Sequence, residues 1–398
     1  MRVSTSEFFR QSTQTIVEQQ SALSRQQRQI ASGQQILQPS DDPVGSARVL
    51  ELTSAQQTNS QHTRNAGRAE SRLALAETSL GSVTENLQRV RELTVQAAND
   101  SQTNGTRADI AQEIEQRLQE LVSLANTTDA NGEFIFAGTK SGTQAFVQSG
   151  SNIAYQGDDG QRFVSIGSAR QIAINDPGSR VFNAPAGNGT FTVAAAAANT
   201  GTGVIGTGTL LDGNAFVADD YTLEFTAPDQ FEVRDGSGTV IATDSFAAGD
   251  SITAIAGIEF TVGGEPQAGD QFTIAAAGRR DLFASYQELI DALRQPVSTS
   301  AEGAQLRTTM NRALTGLDQA IDHVVNVRAD VGGRLQVIDS QVTLNEDRDV
   351  QIAAARSAIA DLDITEAVSQ LQQQLGALQA AQQSFVRIQG LSLFNLLG

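Results

Sequence analysis

The chain has no cysteine and no tryptophan among its 398 residues, and Lys140 is its only lysine. The absence of cysteine excludes a disulfide framework, thiolate metal sites and a cysteine nucleophile. No segment approaches the roughly 18 consecutive apolar residues that a membrane-spanning helix needs. The first ten residues also lack the basic start and apolar run of a cleaved leader. We therefore expect a soluble chain that is not exported by way of a cleaved leader.

Positive charge is scarce as well. The chain carries 27 Lys and Arg against 45 Asp and Glu, a formal net charge of −18. Such a chain repels the phosphates of nucleic acids, so we expect no nucleic-acid partner. The helical faces near the two ends are rich in glutamine rather than in basic residues, which argues against a membrane partner.

The composition changes twice along the chain. The two flanks, up to about residue 137 and from about residue 281, are rich in Gln, Ala, Arg, Glu and Leu, whereas the middle is rich in Gly, Thr, Asp, Val and Phe. The flanks predict helix and the middle predicts strands. The expected fold is α+β: the terminal helices pair into a long coiled-coil rod or helical bundle around a central all-β insert. We expect three domains: 1–40 with 361–398 for assembly, 41–140 with 280–360 as a helical rod, and 141–279 as an outer β-rich domain.

The N-terminal flank has one apolar residue in every seven, the spacing of a coiled coil. These residues are Phe9, Ile16, Leu23, Ile30 and Leu37. Thr and Gln occupy the positions four residues later, so the stripe is one residue wide and buries too little surface to hold a lone helix. We expect it to be poorly ordered in the free chain.

The C-terminal flank has a wider stripe. One seam holds Ile364, Leu371, Leu378 and Phe385, and a second holds Val368 and Leu375. The two flanks are complementary, so we expect them to pair with each other and with neighbouring copies. The alternative is an ordinary core within one chain, which the thin N-terminal stripe makes less favourable.

Neighbouring carboxylates and the two histidines are the candidates for chemistry. Asp41 and Asp42 lie in a loop with Pro39, Ser40 and Pro43, where helix capping explains them better than acid–base or metal chemistry. His62 and His323 have no acidic partner at ligand spacing. The pairs Asp158–Asp159 and Asp219–Asp220 lie in predicted turns rather than in calcium loops. We predict no catalytic, cofactor or metal site.

Several local patterns predict structure in detail. Six segments of the insert predict strands: 162–166, 221–225, 230–234, 239–242, 258–262 and 271–274. Residues 134–136 predict a further short strand. Residues 194–198 are low in complexity and residues 199–208 are rich in Gly and Thr. Both segments predict an exposed loop or a boundary between two β subdomains. Gly332 and Gly333 predict a kink or a close contact within a long helix.

Blocks in both flanks resemble the flagellin superfamily. They are residues 31–44 (ASGQQILQPSDDPV), 89–99 (RVRELTVQAAN), 124–138 (LANTTDANGEFIFAG), 328–335 (RADVGGRL), 361–367 (DLDITEA), 378–388 (LQAAQQSFVRI) and 391–395 (LSLFN). The start MRVST, the ending LSLFN and residues 257–272 resemble the hook–filament junction branch of that superfamily. The insert is long for the family.

The resemblance implies a structural subunit with no cofactor. Its function would be to form the junction ring that joins the hook to the flagellin filament, outside the cell, after export as an unfolded chain through the flagellar type III channel. Implied partners are copies of itself, the other hook-associated junction protein, flagellin and a cytoplasmic export chaperone.

Two other interpretations stay open. The chain could be a filament flagellin, which differs from a junction protein in abundance. It could instead be a secreted adhesin or enzyme with flagellin-like ends, which would require a polar or metal cluster in residues 141–279.

Overall fold

A computed structural model describes the backbone of residues 5–397 and their side chains, except those of residues 5, 6, 8, 9 and 388–397. The α+β prediction is confirmed. Within this range the helices are α1 (Thr5–Ser32), α2 (Pro43–Ala97), α3 (Asn104–Ala125), α4 (Gly178–Val181), α5 (Leu282–Arg294), α6 (Ser300–Ala360) and α7 (Ile364–Leu397). None of the described helices is long and apolar enough to cross a bilayer.

The helices begin and end where local chemistry favours it. Gly33 follows the last residue of α1 and has a φ of +69°, the left-handed conformation that glycine adopts without a Cβ penalty. Asp42 Oδ1 accepts hydrogen bonds from the backbone N–H of Val44 (3.1 Å) and of Gly45 (2.9 Å), so it caps α2. Pro43 takes the first helical position, where its missing N–H costs nothing.

Gly332 and Gly333 do not interrupt α6, which runs unbroken from Ser300 to Ala360. No atom lies within 4 Å of where a Cβ would be at either glycine. The described residues therefore make no close helix contact there, contrary to that part of the prediction, and the kink stays a prediction. The helix tolerates the two glycines because it is long. Each glycine costs about 1 kcal/mol relative to alanine, and the many favourable residues on either side outweigh that cost.

The strands lie between α3 and α5. They are β1 (Phe146–Ser149), β2 (Asn152–Tyr155), β3 (Phe163–Ser165), β4 (Gln171–Ala173), β5 (Asn183–Pro185), β6 (Phe191–Ala195), β7 (Val204–Ile205), β8 (Thr209–Leu210), β9 (Tyr221–Ala227), β10 (Gln230–Arg234), β11 (Val240–Ser245), β12 (Ser251–Ile252), β13 (Ile258–Gly263), β14 (Gln271–Ala276) and β15 (Arg279–Asp281). Each of the six strands predicted in the insert overlaps one of these.

Three local predictions about this region are wrong. Residues 134–136 form a turn, in which Phe134 makes one bridge to Thr128, because no neighbouring strand offers a continuous edge. The low-complexity segment 194–198 begins inside β6, since Ala194 and Ala195 pair with Thr273 and Phe272 of β14. The segment 199–208 contains β7. The alanines of β6 carry no side-chain signal for a strand. In β7 the two β-branched residues, Val204 and Ile205, are too short a run among Gly and Thr to predict a strand, so in both cases only the pairing partner shows it.

The sheets are antiparallel. The largest has the order β11-β10-β9-β14-β6, and a second has β12-β13-β7 with β8 also on β13. Both contribute alternate residues to one core, which includes Phe191, Leu223, Phe225, Phe260 and Phe272, all buried. We call residues 187–277 the β subdomain. The pair β5–β15 leads into and out of it.

An aromatic cluster joins the first part of the insert to α5. Phe146 and Phe283 have ring centroids 4.8 Å apart, and Phe182 stacks on Phe283 at 5.5 Å. Phe136 meets Phe182 edge-to-face at 5.4 Å. These rings hold residues 136–182 against the helices before the chain enters the β subdomain.

The chain divides into two compact units. One contains residues 1–64 and 341–398, and the other contains residues 65–340. In the first unit α2 and α6 share a buried polar layer, in which Asn59 Nδ2 donates to the Asn345 carbonyl oxygen at 2.6 Å. Gln341 Nε2 donates to Asn345 Oδ1 at 2.9 Å. In the second unit the same helices are joined by ion pairs, such as Arg328 with Glu77 at 2.6 Å.

The core of the β subdomain sets its stability. Phe272 is fully buried between the two sheets, so Phe272→Ala should lower the free energy of unfolding by about 3–5 kcal/mol. Val217 is 66% exposed, and Val217→Ala serves as the control, with an expected change within about 0.5 kcal/mol. Equilibrium urea unfolding followed by circular dichroism measures both. Equal effects of the two variants would contradict the assigned core.

The α2 cap requires glycine at position 45. A Cβ there would overlap the Asp42 carboxylate and lie 2.8 Å from Ile36 Cδ1. Gly45→Ala should therefore displace the cap and lower stability by about 0.5–2 kcal/mol. Gly67 lies in the same helix with open space around it, so Gly67→Ala should raise stability by about 0.5–1 kcal/mol. Thermal unfolding of the two variants should shift in opposite directions, and a shift in the same direction would refute the cap.

Candidate assembly interface

The two ends of the chain pair as antiparallel helices. Beyond the end of α1, Gln34 and Asp361 form a bridge, and the Gln35 N–H donates to the Ala360 carbonyl oxygen at 2.8 Å. The Leu362 N–H donates to the Gly33 carbonyl oxygen at 3.0 Å. The end of α1 therefore lies beside the start of α7. Further along, Gln26 Nε2 donates to the Ala367 carbonyl oxygen at 3.3 Å, which fixes the same antiparallel direction.

Six of the residues predicted for the interface lie in the seam between α1 and α7. Leu378 is buried, and the others are half-buried: Ile16, Leu23, Ile30, Leu371 and Phe385. Leu37 is half-buried in the loop after α1. Phe9 lies outside the described side chains. The seam is thus made within one chain, and it brings together the two stripes that the sequence showed to be complementary.

The second row of the seam differs from the predicted one. On α1 it lies three residues after each apolar position, at Gln19 and Gln26, and the positions four residues after are exposed. On α7 it is formed by Ala367, Gln374 and Ala381. A heptad allows either offset. The sequence favours the wrong one because apolar residues, Val368 and Leu375, lie four positions after Ile364 and Leu371. Their position three residues after an apolar seam residue is the sequence feature that could have placed these glutamines in the seam.

The seam contains a polar layer. The Oε1 atoms of Gln19 and Gln374 are buried and have no hydrogen-bond partner among the described residues. Continuing the register from Gln26 and Ala367 by one heptad places these two glutamines opposite each other. An unpaired buried acceptor costs about 1–3 kcal/mol. The pairing of α1 with α7 is therefore weaker than an apolar seam of the same length.

Three residues predicted for the interface lie outside the seam, on an exposed face of α7. Ile364 is 57% exposed, Val368 38% and Leu375 37%. Val386, which the sequence did not single out, continues the row at 65%. The residues fall within about 40° of one another around the helix at 100° per residue. We call them the α7 stripe.

The loop before α2 uses both of its carboxylates for backbone bonds. Asp41 Oδ2 accepts from the N–H groups of Leu37 (3.2 Å) and Gln38 (3.0 Å), and Asp42 caps α2. Pro39 and Ser40 are exposed beside them. Asp363 has the equivalent role at the start of α7, where its Oδ1 accepts from Thr365 at 2.9 Å and Glu366 at 3.1 Å. These residues shape the chain around the interface.

The remaining polar candidates are held by local bonds. Burial lowers the pKa of His323, whose Nε2 lies 2.7 Å from the Arg180 carbonyl oxygen. The hydrogen bond from the Thr139 hydroxyl lowers the pKa of Asp158. Asp219 accepts from the backbone N–H of Asp220 and of Gly236. Among the described residues, no group of three His, Asp or Glu could hold a metal ion.

Family comparisons match the two helical flanks of the chain, and individual relatives match its whole length. Residues 3–141 match the bacterial flagellin N-terminal helical region, and residues 314–397 match the C-terminal helical region. Flagellar hook-associated protein 3 of Escherichia coli is 26% identical over 397 residues, 100% of this chain and 99% of the relative. A phase 1 flagellin of Salmonella naestved is 35% identical but matches only 33% of this chain and 26% of its own length.

Solved structures give the same result. The crystal structure of flagellar hook-associated protein 3 from Legionella pneumophila is 31% identical, with a TM-score of 0.74 over 78% of this chain and 98% of that one. A structure named as the flagellar junction protein FlgL of the same organism is 32% identical, with a TM-score of 0.70 over 79% of this chain and 100% of that one. The chain therefore belongs to the flagellar hook-associated protein 3 family of the flagellin superfamily.

Proposed function

We propose that this chain is a structural subunit of the junction ring that joins the flagellar hook to the flagellin filament. The observation that carries the proposal is the α7 stripe, which stays exposed although α1 and α7 have already paired. The family is one of structural flagellar proteins, and full-length similarity to it favours the junction over the filament itself.

Copies of the chain cover the α7 stripe in this proposal. An exposed apolar row beside an existing helical seam marks a surface for a further helix. Ile364, Val368 and Leu375 repeat at intervals of four and seven residues, the spacing that a third helix can fill. The interface is thus divided: the seam residues join the two ends of one chain, and the α7 stripe joins one chain to the next.

The other partners follow from position in a flagellum. We propose contacts with the second hook-associated junction protein on one side and with flagellin on the other, and binding of an export chaperone in the cytoplasm. The subunit would act outside the cell after export as an unfolded chain through the type III channel. The absence of cysteine and the weak polar layer of the seam suit a chain that must remain unfolded until it is delivered.

The α7 stripe can be tested with paired charges. Val368→Asp with Leu375→Asp should place two carboxylates on the stripe, leave the α1–α7 seam paired and reduce self-assembly at least tenfold, because burying an unpaired charge is costly. Ser369 and Gln373 are exposed on the opposite side of α7, so Ser369→Asp with Gln373→Asp is the matched control. Sedimentation and chemical cross-linking of the purified chain measure assembly.

The outcome of that test is unambiguous. Normal assembly of the Val368 and Leu375 variant would refute the stripe as the interface. Loss of assembly in both variants would show that added charge anywhere on α7 is responsible.

Deletion of the gene tests the proposed location. A junction subunit predicts cells with intact hooks, no filaments, and flagellin monomers lost to the medium. Electron microscopy of the cells and analysis of the medium provide the measurements. Hooks that still carry filaments would refute the junction role and leave the adhesin interpretation. Loss of the most abundant protein of sheared filaments would instead identify the chain as a filament flagellin.

A further inference from the structure

The negative charge of the chain is concentrated in the β subdomain. Residues 187–277 contain twelve Asp and Glu and a single basic residue, Arg234. Their net charge is therefore −11, out of −18 for the whole chain. The other residues, more than three times as many, carry the remaining −7.

The one cation of the β subdomain is already neutralised. Arg234 pairs with Glu232, its neighbour on β10, and its Nε lies 3.4 Å from Glu224 Oε2 on β9. No described basic side chain of the subdomain is left to attract a carboxylate. The surface is therefore repulsive toward another copy of itself.

An unpaired sheet edge lies within this acidic surface. β11 pairs with β10 and with no other described strand, so its outer backbone groups have no strand partner. Val240 is 42% exposed on this strand and Ile241 is 46% exposed. An exposed edge with apolar side chains is a template for pairing with a strand of another chain. Lysine often protects such edges, but the only lysine of this chain is Lys140.

Carboxylates flank this edge instead. Asp244 lies on β11 opposite Phe231, and Asp229 lies where β11 ends, since its carbonyl oxygen accepts from the Phe246 N–H at 2.8 Å. Asp250 follows the same strand in an exposed turn. At the other end Asp219 accepts from the Gly236 N–H at 3.1 Å, and Asp220 is exposed beside it.

We propose that these carboxylates protect the β11 edge against pairing with the β11 edge of a second copy. Edge-to-edge pairing would bring both sets of carboxylates together, and their repulsion opposes it at low ionic strength. The proposal rests on the proposed function, because a ring places many copies side by side. The protected edge confines association to the helical ends, so that the helices alone set the geometry of the ring.

Ionic strength should control this surface. Screening shortens the range of charge repulsion from about 30 Å at 0.01 M salt to about 10 Å at 0.1 M and about 3 Å at 1 M. Pairing through β11 should therefore be absent at low salt and should increase with added salt. Removing the carboxylates that flank the edge should allow pairing at low salt and weaken its dependence on salt.

The test uses the full chain and two charge variants. The first carries Asp220→Asn, Asp229→Asn, Asp244→Asn and Asp250→Asn. The second is the matched control and removes four exposed helical carboxylates far from β11 in sequence, through Glu70→Gln, Glu85→Gln, Asp109→Asn and Asp322→Asn. Both variants change the net charge by the same amount. Val368→Asp and Leu375→Asp are added to every chain to suppress association through the α7 stripe.

Cysteine cross-linking reports which surface is used, because the chain has no cysteine of its own. Thr243→Cys places a thiol on the exposed edge strand β11, and Thr273→Cys places one as a control on β14, which is paired on both sides. At about 0.01 M salt we expect at least tenfold more Thr243→Cys dimer in the first charge variant than in the unmodified background. The helical variant and Thr273→Cys should stay monomeric.

Two results would overturn the proposal. The first is an absence of Thr243→Cys dimers in the first charge variant at every salt concentration. The second is equal dimer formation in the helical control variant. Failure of the proposed junction function would appear separately, as assembly that persists in the Val368 and Leu375 variant without these charge changes.

Discussion

The antiparallel pairing of α1 with α7 is the constraint on which the rest of the structure depends. Neither helix has enough apolar surface to be stable alone, and each completes the stripe of the other. The pairing holds the end of α1 beside the start of α7. The chain between these two helices therefore begins and ends at neighbouring points. The glutamine layer at Gln19 and Gln374 keeps this pairing weak, because buried acceptors without partners oppose burial of the leucines beside them.

The chain separates attraction from repulsion. In our proposal, the apolar residues that remain exposed on α7 contact other copies, whereas the β subdomain, which carries most of the excess negative charge, has an edge strand that is protected from pairing. The two regions use different physics: apolar burial acts only at contact, and charge acts over a Debye length. A subunit that assembles through one region and is repelled through the other can form a regular ring from many copies.

Much of the architecture could be predicted from periodicity. The helical flanks, the β insert and its six main strands follow from hydrophobic spacing, and the loop 39–43 follows from capping chemistry. The features that the sequence did not reveal share a cause. The alanine end of β6 pairs with β14, the two-residue strand β7 pairs with β13, and the Asn59–Asn345 layer joins helices nearly 300 positions apart. Each depends on a partner distant in sequence.

The sequence by itself determined the fold class, the heptad positions of the terminal stripes, the family and the absence of cysteine chemistry. Only the tertiary structure decided which row accompanies those stripes. A heptad permits an offset of three or of four residues, and both keep Leu371 and Leu378 in the seam. The pairing selected three, so that Gln374 is enclosed while Val368 and Leu375 remain exposed. The reason is geometric: the partner helix covers one side of α7, and no pattern within α7 specifies that side.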